Sequence, residues 1–388
     1  MKVTTSCSGR FHIYDQAREL ERHGILHKLI SDYPTTITDR WNIPKEKTIT
    51  LLGSGIKSRV ARLINPYLGE STRSVLAKKL HAEFSKKVAR KIPEDSDVYI
   101  GLSSLCLTAI RKANVLGIKS IVDHGSNHLR FDFEEVNNEL IFWGLRPKKV
   151  DHLLWAIEQE DLEFDEADNI FLMSSLAKET LVSRGVNPKK IFINHCGVDL
   201  SSFYPGKKND DVFRVIQVGS ISVRKGVLQT IKVFNDLSLA NSELWFVGAI
   251  DGDEEFRKKI RQLSSKNIKF IDPVPQSHLV KIYQQSSIFV LPSVSDGFGM
   301  VVLQAMACGI PVVVSSHVGA KDVIKSGVNG FVFNSRDANE FMRIIEFLYK
   351  NPVDRYRIGL SGMEITSSKN GWDCYGNNLA NFLMGMEK

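Results

Sequence analysis

The chain has 388 residues, of which 43% are hydrophobic and 24% charged; that ordinary globular composition excludes fibrous and disordered classes. Its length predicts two domains, because one core typically serves about 100–200 residues. The net charge of +7 is uneven: residues 57–91 carry ten Lys/Arg against two acids, a net of +8, which leaves about −1 for the rest.

No apolar run approaches the ~20 residues of a membrane span, and Met1–Arg10 lacks the apolar centre of a signal peptide. A cytoplasmic protein is expected. The five cysteines (Cys7, Cys106, Cys196, Cys308, Cys374) are odd in number and widely spaced, with no Cys-x-x-Cys pair. They predict buried reduced thiols rather than a disulfide framework or a zinc site.

In chain order, short β-branched runs occur at Lys2–Cys7, Leu26–Ser31, Asp97–Gly101, Lys119–Asp123, Asn169–Met173 and Lys190–Asn194. A second set follows at Arg214–Val218, Leu244–Val247, Ile268–Ile271, Ile288–Leu291, Pro311–Ser315 and Gly330–Phe333. The runs are continuously apolar rather than alternating, as in strands buried on both faces of a parallel sheet. Helical patterns lie between them, Tyr14–His23 and Val227–Leu237 among them. The repetition predicts an α/β chain of two Rossmann-like doubly wound domains facing a cleft. The polar stretch from Pro205 to Asp211 reads as the join, dividing residues 1–205 from 206–370, with 371–388 a helix returning to the first domain.

In such sheets ligands sit beyond the carboxyl ends of the strands, so the residues just after each strand carry the chemistry. Ser8-Gly9-Arg10 follows the first run, and His12 comes soon after. The basic segment 57–91 suits an anionic membrane surface, with a solvated helix face as the bland reading; nucleic acid is not expected, because aromatic interleaving and recognisable motifs are missing. His124 and His128 follow the Lys119–Asp123 run, and both are cleft candidates. Gly219, Ser220, Arg224 and Lys225 follow Arg214–Val218 and place two cations just after a strand. Asp251-Gly252-Asp253 imitates a metal motif but sits before a helix, where aspartate is a good cap; no metal or other cofactor is expected. Asp296, Gly297, Phe298 and Gly299 then precede a helix from about Met300 to Cys308, whose N-terminus can receive anionic or hydroxyl oxygens.

The segment from Asp296 to Val312 resembles the donor signature of family-4, or group 1, glycosyltransferases of the GT-B fold: an acid, Gly-Phe-Gly, a second acid eight positions on, then Ala-Met-Ala-x-Gly-x-Pro-Val. It departs twice, with Asp296 at the first glutamate and Gln304 at the second. Lys225-Gly226 resembles the family's Lys-Gly phosphate loop, with Ser220 in place of its arginine and Arg224 as a neighbouring substitute. The resemblance implies a retaining, metal-independent glycosyltransferase. Its nucleotide-sugar donor would be held by Gly9, Gly219, Ser220, Val274, Gly297, Phe298, Gly299, Met300, Val301 and Gln304. Asp296, His124, Lys225 and Arg224 would form the catalytic group, and Arg10, His12 and His128 would border the acceptor. A saccharide or lipid-linked acceptor, in surface polysaccharide or lipopolysaccharide assembly at the inner membrane face, is the implied setting. A nucleotide-sugar epimerase and a non-catalytic binding protein are the alternatives; an NAD enzyme is disfavoured, since no Gly-x-Gly-x-x-Gly follows the first strand of either half.

Overall fold

The computed structural model describes residues 1–9 and 12–386. The first sheet contains β1 (Val3–Cys7), β2 (Leu26–Ser31), β3 (Thr48–Thr50), β4 (Val98–Leu102), β5 (Lys119–His124), β6 (Asn169–Leu172) and β7 (Ile191–Ile193). Its spatial order is β3-β2-β1-β4-β5-β6-β7. The second contains β8 (Phe213–Val218), β9 (Ser242–Val247), β10 (Ile268–Ile271), β11 (Ile288–Leu291), β12 (Val312–Ser315) and β13 (Phe331–Phe333). Its order is β10-β9-β8-β11-β12-β13.

Pairing is parallel in both sheets; Thr5, for example, lies opposite Leu29 on one side and Ile100 on the other. The central strands β1, β4, β8, β11 and β12 are buried along their whole length; β4, β11 and β12 read as apolar runs for that reason, while β1 and β8 bury Thr4, Thr5, Ser6, Arg214 and Gln217 as well. The edge strand β3 is the element the sequence concealed. Its three residues are half-buried and carry two threonines, so no apolar run marks it.

Each sheet reverses direction at its centre. The chain steps outward from β1 to β3 and returns to β4 on the other side; β8, β10 and β11 repeat the pattern. The reversal opens a crevice beyond the carboxyl ends of the central strands, and the loops there border a cleft shared by the two domains. One apolar cluster spans the domains and includes Ile100, Met173, Phe203, Leu291, Phe298 and Val318.

The last helix, Trp372–Gly385, packs on the first, Ile13–Arg22. Gln16 donates to the Tyr375 hydroxyl (2.9 Å), Arg22 donates to Asn377 Oδ1 (2.9 Å), and Phe382 stacks on Phe192 (4.1 Å between centroids). Among the described residues no helix is long and apolar enough to cross a membrane.

Docking of that helix requires a glycine. A Cβ on Gly197 would stand 2.6 Å from the backbone nitrogen of Trp372. Gly197→Ala should therefore destabilise the protein by about 1–3 kcal/mol in urea unfolding. Gly53→Ala, on the open face of a helix with nothing within 4 Å, should stabilise it by about 0.5–1 kcal/mol. Equal effects at the two sites would contradict this packing.

Candidate active site

The loop between β11 and the helix Met300–Ala307 forms one wall of the cleft. Gly299 caps the helix at φ +84°, a left-handed conformation that suits glycine. Gly297 lies against the first domain: a Cβ there would stand 2.4 Å from Ser126 Cα and 2.6 Å from the Gly125 carbonyl oxygen. Ser174 Oγ donates to the Gly297 carbonyl (2.6 Å). Asn127 Nδ2 donates to Ser295 Oγ (2.7 Å), and the Ser295 hydroxyl donates to Asp132. The Ser175 N–H donates to Asp322 Oδ2 (2.6 Å). Two loops from different domains thus meet backbone to backbone, pinned by short polar side chains.

The cleft has a volume of about 740 Å³. His12, His124 and Glu160 line it from the first domain; Lys225, Asp296, Phe298, Gly299, Met300, Val301 and Gln304 line it from the second. Lys225 Nζ and Asp296 Oδ2 form an ion pair, each side chain 11% exposed. Burial opposes ionisation of Asp296, but the charges of Lys225 and Arg224 outweigh it and hold the carboxyl below its ordinary range. Lys225 is in place because Gln217 Nε2 donates to its carbonyl (2.7 Å) and Gly226 turns the chain at φ +67°, where a Cβ would strike the Pro292 carbonyl.

On the opposite wall, which also carries Asp15, Arg18, Arg40 and Asp199, two buried groups are held neutral. Burial pushes the His124 imidazole down to about 4, so it is neutral near pH 7. Its Nε2–H donates to the Asn127 carbonyl (3.2 Å), which leaves Nδ1 as the lone-pair nitrogen. Glu160 Oε1 stands 3.6 Å from that nitrogen. Glu160 Oε2 accepts the Leu129 N–H (2.9 Å), while burial pushes the carboxyl up to about 9. A protonated Glu160 therefore faces the lone pair of His124. His12 is tied by its Nε2 to Asp123 Oδ1 (2.9 Å).

Other expected site residues lie elsewhere. His128 does not line the cleft: its Nδ1 accepts the Arg130 N–H (3.1 Å), capping the helix Leu129–Phe142, and its Nε2 donates to Asp161 (2.9 Å). Arg224 turns its guanidinium to the Ser295 carbonyl (2.9 Å), bracing the loop behind Asp296. Val274 packs against the core, and Gln276 lines the cleft instead. Gly219, at φ +123°, lies behind the wall beside Lys225, and Ser220 Oγ is 3.4 Å from Ser222 Oγ. Gly9 borders a neighbouring cavity, its N–H donating to Asp32 (3.0 Å). Arg10 lies outside the described residues. Among the described residues no cluster of three or more potential metal ligands occurs; Asp253 accepts the Phe256 N–H (2.9 Å) as a helix cap.

The sequence reading missed Glu160, Ser295 and Asp322. Glu160 lies in the acid-rich helix Leu154–Glu166, which reads as a solvated face. Yet Glu160 and Glu163 are fully buried beside Ala156, Ile157 and Phe164. Glu163 accepts the N–H groups of Ser104 (2.6 Å), Cys106 (3.0 Å) and Leu107 (3.0 Å), and so fixes the loop after β4. Their three-residue spacing on one side of the helix is the available signal.

Known proteins share this architecture. Residues 202–362 match the family model described as Glycosyl transferases group 1. A D-inositol 3-phosphate glycosyltransferase of Mycobacterium sp. (strain JLS) is 27% identical over 201 residues, 47% of this chain and 45% of that one. The chain thus matches about half the length of that curated relative. In fold, sucrose-phosphate synthase from Thermosynechococcus elongatus superposes with a TM-score of 0.71 at 16% identity, covering 100% of this chain and 99% of that one. Anabaena HepE in complex with UDP superposes with a TM-score of 0.70 at 16% identity, covering 99% and 100%. Residues 202–362 are thus similar to a group 1 glycosyltransferase domain, and the two domains together have the GT-B fold.

The raised Glu160 carboxyl has a measurable consequence. The unfolded chain ionises this acid near its ordinary value, whereas the folded protein keeps it protonated up to about pH 9. Glu160 therefore removes stability as pH rises through that window, by at most about 1.4 kcal/mol per pH unit. Glu160→Gln should become progressively more stable than the wild type between about pH 5 and about pH 9 in thermal melts. A difference independent of pH would show that Glu160 is ionised in the fold.

Proposed function

We propose that this protein is a retaining glycosyltransferase that moves a sugar from a nucleotide-sugar donor to a saccharide or lipid-linked acceptor without a bound metal. The observation that carries this reading is the buried Lys225–Asp296 pair in the wall of a two-domain cleft, beside the N-terminus of Met300–Ala307 and opposite the neutral His124. The group 1 family match over residues 202–362 supports it.

Each wall then has a task. The donor lies on the second domain, its diphosphate near Lys225 and the first N–H groups of the helix, where fixed positive charge acts as negative charge develops on the leaving group. Asp296 neutralises Lys225 while the site is empty and accepts hydrogen bonds from sugar hydroxyls when it is filled. Gln304, whose Oε1 accepts from the Tyr283 hydroxyl (3.2 Å), keeps its amide N–H groups for the ribose. His124 meets the sugar as a neutral group and adds no charge that would compete with Lys225. The bond between the anomeric carbon and the diphosphate oxygen breaks, the acceptor oxygen bonds to that carbon on the same face, and its proton passes to the departing diphosphate. Closure of the two loops excludes water that would otherwise hydrolyse the donor.

The setting is the cytoplasmic face of an anionic membrane, in surface polysaccharide or lipopolysaccharide assembly. The helix Leu52–Ile64 supports this: Leu52, Ile56, Val60 and Leu63 recur at helical spacing on one exposed face, and Tyr67 beyond it is 89% exposed. Lys57, Lys78, Lys79 and Lys86 are exposed in the same segment. An apolar stripe with basic flanks suits the headgroup boundary.

Calorimetric titration with UDP, GDP and ADP tests the donor site. One nucleotide class should bind, and Lys225→Ala should weaken it by about tenfold or more. Failure of all three to bind the folded protein would overturn the donor assignment, and binding without transfer to any acceptor would favour a binding protein. Cosedimentation with phosphatidylglycerol vesicles should exceed that with phosphatidylcholine, fall with salt and be lost in Ile56→Asp/Leu63→Asp. Equal recovery with both lipids would remove the membrane setting.

A further inference from the structure

The cleft continues beyond the donor wall. Leu102, Ser103 and Ser104 border both it and a second cavity, of about 450 Å³, that lies within the first domain. This cavity sits over the carboxyl ends of β1, β2 and β4, bordered there by Gly9, Asp32 and Ser103. Two helices close it. Leu52–Ile64 contributes Arg59 and Arg62, one turn apart, and Glu70–Ala89 contributes Arg73 and His81.

Three guanidinium groups thus line a cavity that holds one carboxylate. That carboxylate, Asp32, already accepts from the Gly9 N–H (3.0 Å) and from Ser8 Oγ (2.9 Å). The acids of the neighbouring helices are engaged elsewhere: Glu83 with Lys57 and Lys87 (2.7 Å each), Glu70 with His152 (3.4 Å). Arg59 lies over the Tyr33 ring, 4.6 Å from its centroid, and Arg73 Nε donates to the Leu68 carbonyl (2.7 Å), so both stems are held in place.

Two buried polar atoms in the walls, His81 Nδ1 and Ser103 Oγ, have no protein partner. Buried polar groups without partners are costly, and a polar ligand removes that cost. Ser104, between the two cavities, adopts φ +68°, a left-handed conformation unusual outside glycine. Glu163 holds it there through its N–H. Such local strain concentrates at functional sites.

We propose that this second cavity is an anion subsite, in which Arg59, Arg62 and Arg73 hold a phosphate group of the acceptor while its reacting hydroxyl reaches past Ser103 and Ser104 into the donor cleft. Arginine forks match phosphate oxygens in pairs, which favours phosphate over a neutral saccharide in this position. The inference rests on the glycosyltransferase reading and narrows its acceptor to a phosphate-bearing molecule.

The test is titration of the full-length protein with two probes: glycerol 3-phosphate, and dihexanoyl phosphatidic acid kept monomeric so that no membrane surface is present. At least one should bind saturably, with affinity reduced about tenfold or more in Arg59→Ala/Arg62→Ala and unchanged in Lys148→Ala/Lys149→Ala, whose exposed side chains lie outside the cavity. Tighter binding of glycerol 3-phosphate identifies a free phosphate acceptor; tighter binding of the short-chain lipid identifies a lipid headgroup. Uncharged glycerol should not bind. Binding of neither probe, or equal binding by Arg59→Ala/Arg62→Ala, overturns the subsite. UDP, GDP and ADP titrations on the same samples separate the two readings. A nucleotide that binds wild type and Arg59→Ala/Arg62→Ala alike leaves the donor site standing whatever the phosphate probes show, whereas failure of every nucleotide removes the premise itself.

Discussion

The site depends on one close approach. Gly297 lies so near Gly125 and Ser126 that a single added carbon would overlap their backbone. No side chain mediates the contact, so the two loops fix the domain spacing by backbone geometry. Ser174, Asn127 and Ser295 then lock that spacing with hydrogen bonds across the domains. Because the loops follow β5 and β11, fixing them also fixes His124 on one side and Asp296 on the other. Gly319 extends the same stack, since a Cβ there would meet the Gly297 carbonyl at 2.1 Å.

Within that frame the charge is arranged asymmetrically. The second-domain wall carries Lys225 with Asp296 as counter-charge, both largely withdrawn from water, where electrostatic interactions are stronger than at the surface. On the first-domain wall burial holds His124 and Glu160 neutral, while Asp15, Arg18, Arg40 and Asp199 line the same side of the cleft.

The sequence showed the fold clearly because parallel strands buried on both faces leave continuous apolar runs; Ile288–Leu291 and Val312–Ser315 are examples. It showed the loop before Met300 because Asp296, Gly297, Phe298 and Gly299 are consecutive in the chain. Residues brought together only by packing were harder to see. Glu160 belongs to an acid-rich helix, and only the fold reveals that this acid points inward. His124 and His128 follow the same strand and are both cleft candidates by sequence, with His124 the positional match, but the start of a helix at Leu129 makes His128 a cap. Arg224 and Lys225 are likewise adjacent, yet the short helical turn Val223–Lys225 sends one behind the loop and the other into the cleft.

Small-angle scattering on Gly297→Val beside the wild type tests the domain contact most directly. If that backbone approach sets the domain spacing, the variant should keep its far-ultraviolet circular dichroism and show a larger radius of gyration, because the added side chain forces the loops apart. An unchanged radius in a folded variant would show that the domains are held by other contacts and that the approach at Gly297 does not organise the site.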